Sequence, residues 1–163
     1  MNDLDLSVVS TADGLDALAP EWDALVHAAA RPCPFLLHGW VSAWWRHLGA
    51  GSTLAVIAAR RGGTLVGIAP MMIQKRHGLR ACRLLGGAES ALGDLLVAND
   101  EDHSIAHALL GRVAGLRFDY VDIFGVPGDG PLAHACASQG LVDMERVASP
   151  VLNMPDGWPA AYG

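Results

Sequence analysis

Between Thr53 and Gly86 the sequence reads as three consecutive strands joined by two tight turns, and the first two strands are apolar on both faces. Thr53 to Ala59 (TLAVIAA) is almost unbroken hydrophobe, Arg60-Arg61-Gly62-Gly63 punctuates it, and Thr64 to Ile73 (TLVGIAPMMI) returns as a second apolar run. A turn at His77-Gly78 leads into a third strand, Arg80 to Gly86, so the stretch is a meander. Strands with one wet face alternate apolar and polar residues, whereas continuous runs of Val, Ile, Leu and Ala need cover on both sides. The meander is therefore expected to lie between layers of helix.

The flanks supply those layers. Leu15, Leu18, Trp22, Leu25, Val26 and Ala29 recur at helical spacing, as do Trp40, Ala43, Trp44 and His47. After the meander, Ile105, Leu109, Leu110, Val113 and Leu116 mark a third amphipathic helix. Pro20 interrupts the first pattern, so that helix either begins there, with proline in its first turn, or kinks. The expected order is strand (Leu6 to Ser10), helix, helix, three strands, helix, strand (Tyr120 to Val126), helix (Pro131 to Ser138), strand (Leu141 to Val147).

A chain of 163 residues fits one domain with a sizeable core. Hydrophobic residues make up 52% and charged ones 17%, a surplus of apolar surface that belongs at an interface. The net charge of -6 argues against the basic footprint of a nucleic-acid binder. No apolar run approaches the ~20 residues that cross a bilayer, and MNDLDLSVVS lacks the basic and apolar regions of a signal peptide. The sequence thus reads as cytoplasmic. Cys33, Cys82 and Cys136 are odd in number and form no CxxC pattern, which favours reduced packing residues over a disulfide framework or zinc site. Cys33 has no evident histidine partner, and no GxSxG elbow is present, so nucleophilic catalysis has no positive support.

The order of elements resembles that of the GNAT N-acetyltransferase superfamily. Pro34-Phe35 followed by Trp40 and Trp44, Val66-Gly67-Ile68-Ala69-Pro70-Met71, Leu84-Leu85-Gly86-Gly87, Gly93-Asp94-Leu95, Ser149-Pro150 and Trp158 to Tyr162 look like the amino-terminal half of the CelD-like proteins. These are bacterial GNAT-type acyltransferases, similar to the Fem-type transferases in carrying two GNAT-like domains in tandem. The resemblance implies an α/β fold with a mostly antiparallel sheet and helices on both faces. It also implies a GNAT-like domain over residues 1–148 and a Pro-containing tail, 149–163, leading toward a second, catalytic domain. The whole protein would then be an acyl-CoA-dependent N-acyltransferase, with acetyl-CoA as donor.

In such enzymes the coenzyme's pyrophosphate is held by backbone N–H groups of a Gly-rich loop between the fourth strand and the next helix, the usual physics of an anion at a helix N-terminus. The pattern there is Gln or Arg, two residues, Gly, one residue, then Gly or Ala. Gly86 to Asp94 (GGAESALGD) stands in the corresponding region, lacks the pattern and contributes Glu89 and Asp94 where a phosphate would sit. No coenzyme-binding residue is assigned, and this half is expected to be noncatalytic.

Four residues remain as acceptor-site candidates. Asp94 is either a polar anchor in a groove or the cap of a turn. Arg76 and Arg80, with Lys75 and Arg83 around the second turn, suit an anionic acceptor or are solvated. Trp44, with Trp40 and Trp45, either lines a cleft or packs in the core, as Trp22 is expected to do. His103 and His107 have metal-ligand spacing, but no HExxH surrounds them, and Asp102 is only a sequence neighbour. The alternative to an acyltransferase half is a self-standing interaction module, or a homodimer, that buries the surplus apolar surface.

Overall fold

The computed structural model describes residues 4–29, 31–98, 103–139 and 148. Strand β1 (Leu4–Val9) is followed by helices α1 (Ala12–Ala17), α2 (Ala19–Ala28) and α3 (His38–Leu48), with a 3-10 turn at Pro34–Leu36 before the last. Next come β2 (Ser52–Leu54), β3 (Val56–Arg61), β4 (Thr64–Ala69), β5 (Met71–Arg76) and β6 (Leu79–Leu84). A second 3-10 turn (Gly87–Glu89), β7 (Leu96–Val97), helix α4 (His103–Ala114), β8 (Tyr120–Val121) and helix α5 (Pro131–Ser138) complete the described elements. The expected strand at Leu141 to Val147 and the tail from Ser149 lie outside the described residues.

The meander is the spine of the fold. β2 runs into β3 through Ala55 and β4 into β5 through Pro70, so two long lines of chain pair antiparallel and feed two four-stranded sheets, ordered β1-β3-β4-β7 and β2-β5-β6-β8. All pairings are antiparallel except β6 with β8. Both hairpins turn on two residues in the left-handed region, Gly62-Gly63 (φ +56° and +85°) and His77-Gly78 (φ +50° and +86°). That geometry matches the twist of the flanking strands, which is why glycine recurs in these turns.

Period-two alternation divides the spine between two cores. Val56, Ala58, Leu65, Ile68 and Met72 pack on one face with Leu15, Trp22, Val26, Val41 and Trp44 from α1, α2 and α3. Ile57, Ala59, Ala69, Met71 and Cys82 face the other way, against Ile105, Leu109, Val113, Leu132 and Ala135 from α4 and α5. Cover on both faces is thus present as the apolar runs require.

Other expectations are corrected in detail. The first helical pattern divides at Leu18 into α1 and α2, with Pro20 in the first turn of α2, where its missing N–H costs nothing. On α3 the buried face is His38, Val41, Ser42 and Trp44, whereas Trp40, Ala43 and His47 are exposed. The strand expected to run to Val126 ends at Val121. Gly125 turns left-handed (φ +69°) and Pro127 has no N–H to donate, so pairing stops there.

The largest departure lies after β6. Met71 faces Leu84, while Ile68, three residues earlier, faces Leu96, twelve residues later. The same line of strand therefore resumes after a nine-residue excursion, and it does so at Leu96–Val97 because that pair is apolar and buried. Large apolar side chains remain exposed near the other sheet edge, namely Leu79, Tyr120, Val121 and Phe124.

Gly67 sets how closely α4 lies on the sheet, since a Cβ there would stand 2.6 Å from Ile105 Cγ2 and 3.1 Å from Leu109 Cδ1. Gly67→Val is expected to lift the helix and destabilise the protein by about 1–3 kcal/mol. Urea unfolding with an unchanged slope and a lowered midpoint is the expected readout.

Candidate functional site

The excursion is built by glycines and fastened by tryptophans. Gly86 and Gly87 are both left-handed (φ +97° and +51°), which sends the chain out of the sheet into the 3-10 turn. A Cβ on Gly87 would come within 2.9 Å of Trp44 Cζ2, so the turn also lies flat on an indole. Trp44 Nε1 donates to Glu89 Oε2 at 2.9 Å and Trp40 Nε1 to Ser90 Oγ at 2.8 Å. The Trp44 hydrogen bond is the main reason that the Glu89 carboxyl is held below its ordinary pKa. Further along, Gly93 N–H donates to Gly125 O at 2.9 Å, tying the excursion to the segment after β8.

Asp94 closes the excursion. Its buried Oδ1 accepts from the N–H groups of Leu95 and Leu132, both at 2.8 Å. Leu132 is in the first turn of α5, so a carboxylate from a distant segment caps that helix, satisfying an otherwise orphaned donor and complementing the dipole. Gly130 has no side chain because a Cβ would collide with Asp94 Oδ2.

Beyond this bridge the two segments part and leave a slot of about 140 Å³. One wall is Leu92 to Val97, the other Pro127 and Asp129 to Pro131, and Ala29, Arg31 and Leu36 close the side. Arg31 forms a two-pronged ion pair with Asp129 at the rim, at 3.1 and 2.8 Å. Arg31 is also the main reason that Asp129 lies below its ordinary pKa. β7 is the last strand of its sheet among the described residues, so its outer edge faces the slot. Ala98 N–H donates to Val66 O. By antiparallel alternation, the N–H and C=O of Val97 then point outward.

Of the four candidates, only Asp94 lines this slot. Trp44 is buried against the excursion, and its N–H is used there. Arg76 pairs with Asp122 at 3.1 Å, and Arg80 grips Asp119 with Nε and Nη2. Arg83 reaches Asp122 at 3.2 Å and Gln74 at 2.9 Å. The ion pairs tie β5 and β6 to the residues flanking β8, and each guanidinium already has a carboxylate. The exposed His103 packs against His134, and the half-buried His107 meets Ser138 across the seam of α4 and α5. Among the described residues no group of three or more His, Cys, Asp or Glu is placed to hold a metal ion. Burial pushes the Cys82 thiol up to about 11, away from thiolate chemistry.

Arg31, Asp129, Glu89 and Ser90 were not legible as site residues. A sharper signal was the Leu95-Leu96-Val97 run, which marks a returning strand. That return relocates the segment expected to hold a coenzyme pyrophosphate. It is not Gly86 to Asp94 but the five residues between Val97 and α4, followed by the first helical turn. Placed there, the pattern meets Glu101-Asp102-His103-Ser104-Ile105-Ala106, with Ala106 in agreement, Ser104 in place of glycine and Glu101 in place of Gln or Arg. In the sequence, Asp100, Glu101 and Asp102 make the segment before α4 acidic, a charge that disfavours phosphate. Where β6 and β8 diverge, the space between Leu84, Gly87 and Phe124 is about 10 Å³, room for a single water. The sequence at the start of α4 thus departs from the pyrophosphate pattern at two of its three fixed positions.

No family model and no curated protein matches the chain. Solved structures do. A ribosomal-protein-alanine N-acetyltransferase from Brucella melitensis biovar Abortus 2308 is similar at 16% identity and TM-score 0.53, covering 93% of this chain and 99% of that one. A possible acetyltransferase from Clostridium difficile 630 is similar at 8% identity and TM-score 0.54, covering 93% and 98%. The aminoglycoside N-acetyltransferase AAC(6')-Iy, in complex with CoA, is similar at 15% identity and TM-score 0.54, covering 94% and 97%. At these identities the likeness establishes the fold: the chain has the GNAT-like acyl-CoA N-acyltransferase fold.

Two outcomes follow from the geometry. Asp94→Ala is expected to cost about 1–3 kcal/mol by orphaning buried N–H groups, with loss of amide protection at Leu132 and the first turn of α5 in hydrogen exchange. Hydrogen bonds from the Arg80 side chain and N–H lower the Asp119 pKa from 3.8 to about 2. Its stabilising contribution is therefore complete above the unfolded pKa near ~4 and is lost as pH falls through about 2. Asp119→Asn should remove that contribution, lowering stability at neutral pH, so that the variant and the parent converge as pH falls through about 2.

Proposed function

We propose that this chain is the amino-terminal, noncatalytic GNAT-like domain of a CelD-like, acyl-CoA-dependent N-acyltransferase, and that it shapes the acceptor side of the enzyme. The observation that carries the reading is the excursion itself. It interrupts the central strand, bridges the diverging parallel strands, and is fastened by Trp40, Trp44 and Asp94, where a ligand cleft of an open α/β sheet would lie. The acidic run before α4 adds to it, because carboxylates at a helix N-terminus repel the phosphates that such a terminus otherwise attracts.

In this reading residues 1–148 form the domain, residues 149–163 lead to a catalytic GNAT unit, and the protein works in the cytoplasm. Exposed Leu79, Tyr120, Val121 and Phe124 supply an apolar face for that unit to cover. Deprotonation of the acceptor amine and stabilisation of the developing oxyanion then belong to the partner unit. The same face supports a second reading, a self-standing interaction module or homodimer.

Calorimetric titration of residues 1–163 with acetyl-CoA is expected to give no binding below millimolar concentration, and an acyl-transfer assay with a panel of amines no turnover. Micromolar binding or turnover by the isolated chain would overturn the noncatalytic assignment. In sedimentation, a monomer agrees with the domain reading, and a tight stoichiometric dimer favours the module.

A further inference from the structure

Along the seam of α4 and α5 two helical rows face each other. His103 and His107 stand about one turn apart on α4, and His134 and Ser138 about one turn apart on α5. The rows meet in register. The His103 ring lies against that of His134, with centroids 5.4 Å apart and planes tilted by 59°, and His107 Nδ1 lies 3.2 Å from Ser138 Oγ. The spacing of four between His103 and His107 therefore does not pair those two rings, because His107 is engaged by Ser138. The imidazole that joins His103 comes from the other helix.

Three observations give this pair the character of a cation site. His103 and His134 are both exposed, and among the described residues no ring nitrogen of either is engaged by a hydrogen bond. Their separation suits a shared ion: a metal at about 2.0–2.1 Å from one nitrogen of each ring, in tetrahedral geometry, places the two centroids roughly 5 Å apart. The local charge is also favourable. The Asp129 carboxylate is close enough to feel a charge on His134, and in the sequence Asp100, Glu101 and Asp102 directly precede His103. Negative charge of that kind raises the local concentration of cations.

We propose that His103 and His134 together bind a borderline divalent transition-metal ion of the Zn²⁺ class, one nitrogen from each ring, with water completing the shell. Imidazole suits this class, whereas hard ions such as Mg²⁺ prefer oxygen ligands. Two protein ligands fall short of the four of a structural zinc site, so the ion is held reversibly. When bound, it ties the first residue of α4 to α5, whose own first turn is fastened by Asp94 through the Leu132 N–H. The site needs no coenzyme and no partner domain, and it stands apart from the acyltransferase reading.

The test is calorimetric titration of untagged residues 1–163 with Zn²⁺, and with Mg²⁺ as the contrast. Zn²⁺ should bind at micromolar concentration and Mg²⁺ should not. His103→Gln and His134→Gln should each weaken Zn²⁺ binding by about tenfold or more, the scale on which metal sites respond to a lost contact. His107→Gln should leave the affinity unchanged. In hydrogen exchange, Zn²⁺ should slow the amides of α5 in the parent and not in His134→Gln. With Co²⁺ as the spectroscopic probe, the absorption should lack a thiolate charge-transfer band, which excludes Cys136 as a ligand. Circular dichroism melting without metal checks that each variant folds. Binding only at millimolar Zn²⁺, binding that survives both single substitutions, a thiolate band, or loss of binding in His107→Gln would overturn the assignment.

Discussion

Everything in this molecule hangs on a hairpin that is buried on both faces. The lines Ser52–Arg61 and Thr64–Arg76 have no polar alternation to mark an outside, so each must be covered twice. In β3, Val56 and Ala58 take α1 to α3 while Ile57 and Ala59 take α4 and α5, and across the hairpin Ile68 joins the first set and Ala69 the second. A one-residue slip would exchange the two sets and fit neither core, so register, helix placement and burial are decided together. Gly67 is the point of closest approach, where α4 replaces the side chain that the sheet omits.

The excursion after Leu84 is the feature that separates this domain from a plain strand-to-helix connection. It leaves the sheet through two left-handed glycines, is held by two indole N–H groups, and returns through a buried carboxylate that caps another helix. Each of these contacts joins segments far apart in sequence. Beside them, the space at Leu84, Gly87 and Phe124 is about 10 Å³, and a slot of about 140 Å³ lies at the outer edge of β7. In a fold shared with acetyltransferases, the chemistry available to this chain is therefore set more by loops than by the scaffold.

The periodic part of the structure was legible in advance. The meander, both glycine turns, the flanking helices and the bounds of α5 follow from apolar spacing and turn chemistry, because those signals are local. α3 was harder. Trp40 and Trp44 share helical spacing, yet only Trp44 is buried, since the excursion lies over one indole and merely touches the other. The basic turn reads as an anion site only while Asp119 and Asp122 are unplaced. Parallel pairing of β6 with β8 brings those carboxylates to Arg76, Arg80 and Arg83. Asp94 lines the slot and caps a helix in place of a turn.

From the order of its residues alone, the chain determined a sheet enclosed by helices, the places where it must turn, and the acidic approach to α4. These are properties of neighbours in sequence, governed by backbone sterics, side-chain period and local charge. Tertiary structure alone decided that the strand broken at Leu84 resumes at Leu96, that Arg31 meets Asp129, and that the outer edge of Val97 borders a slot. Such outcomes depend on contacts across tens of residues, whose energies become available only after the hairpin has drawn both helical layers onto its faces.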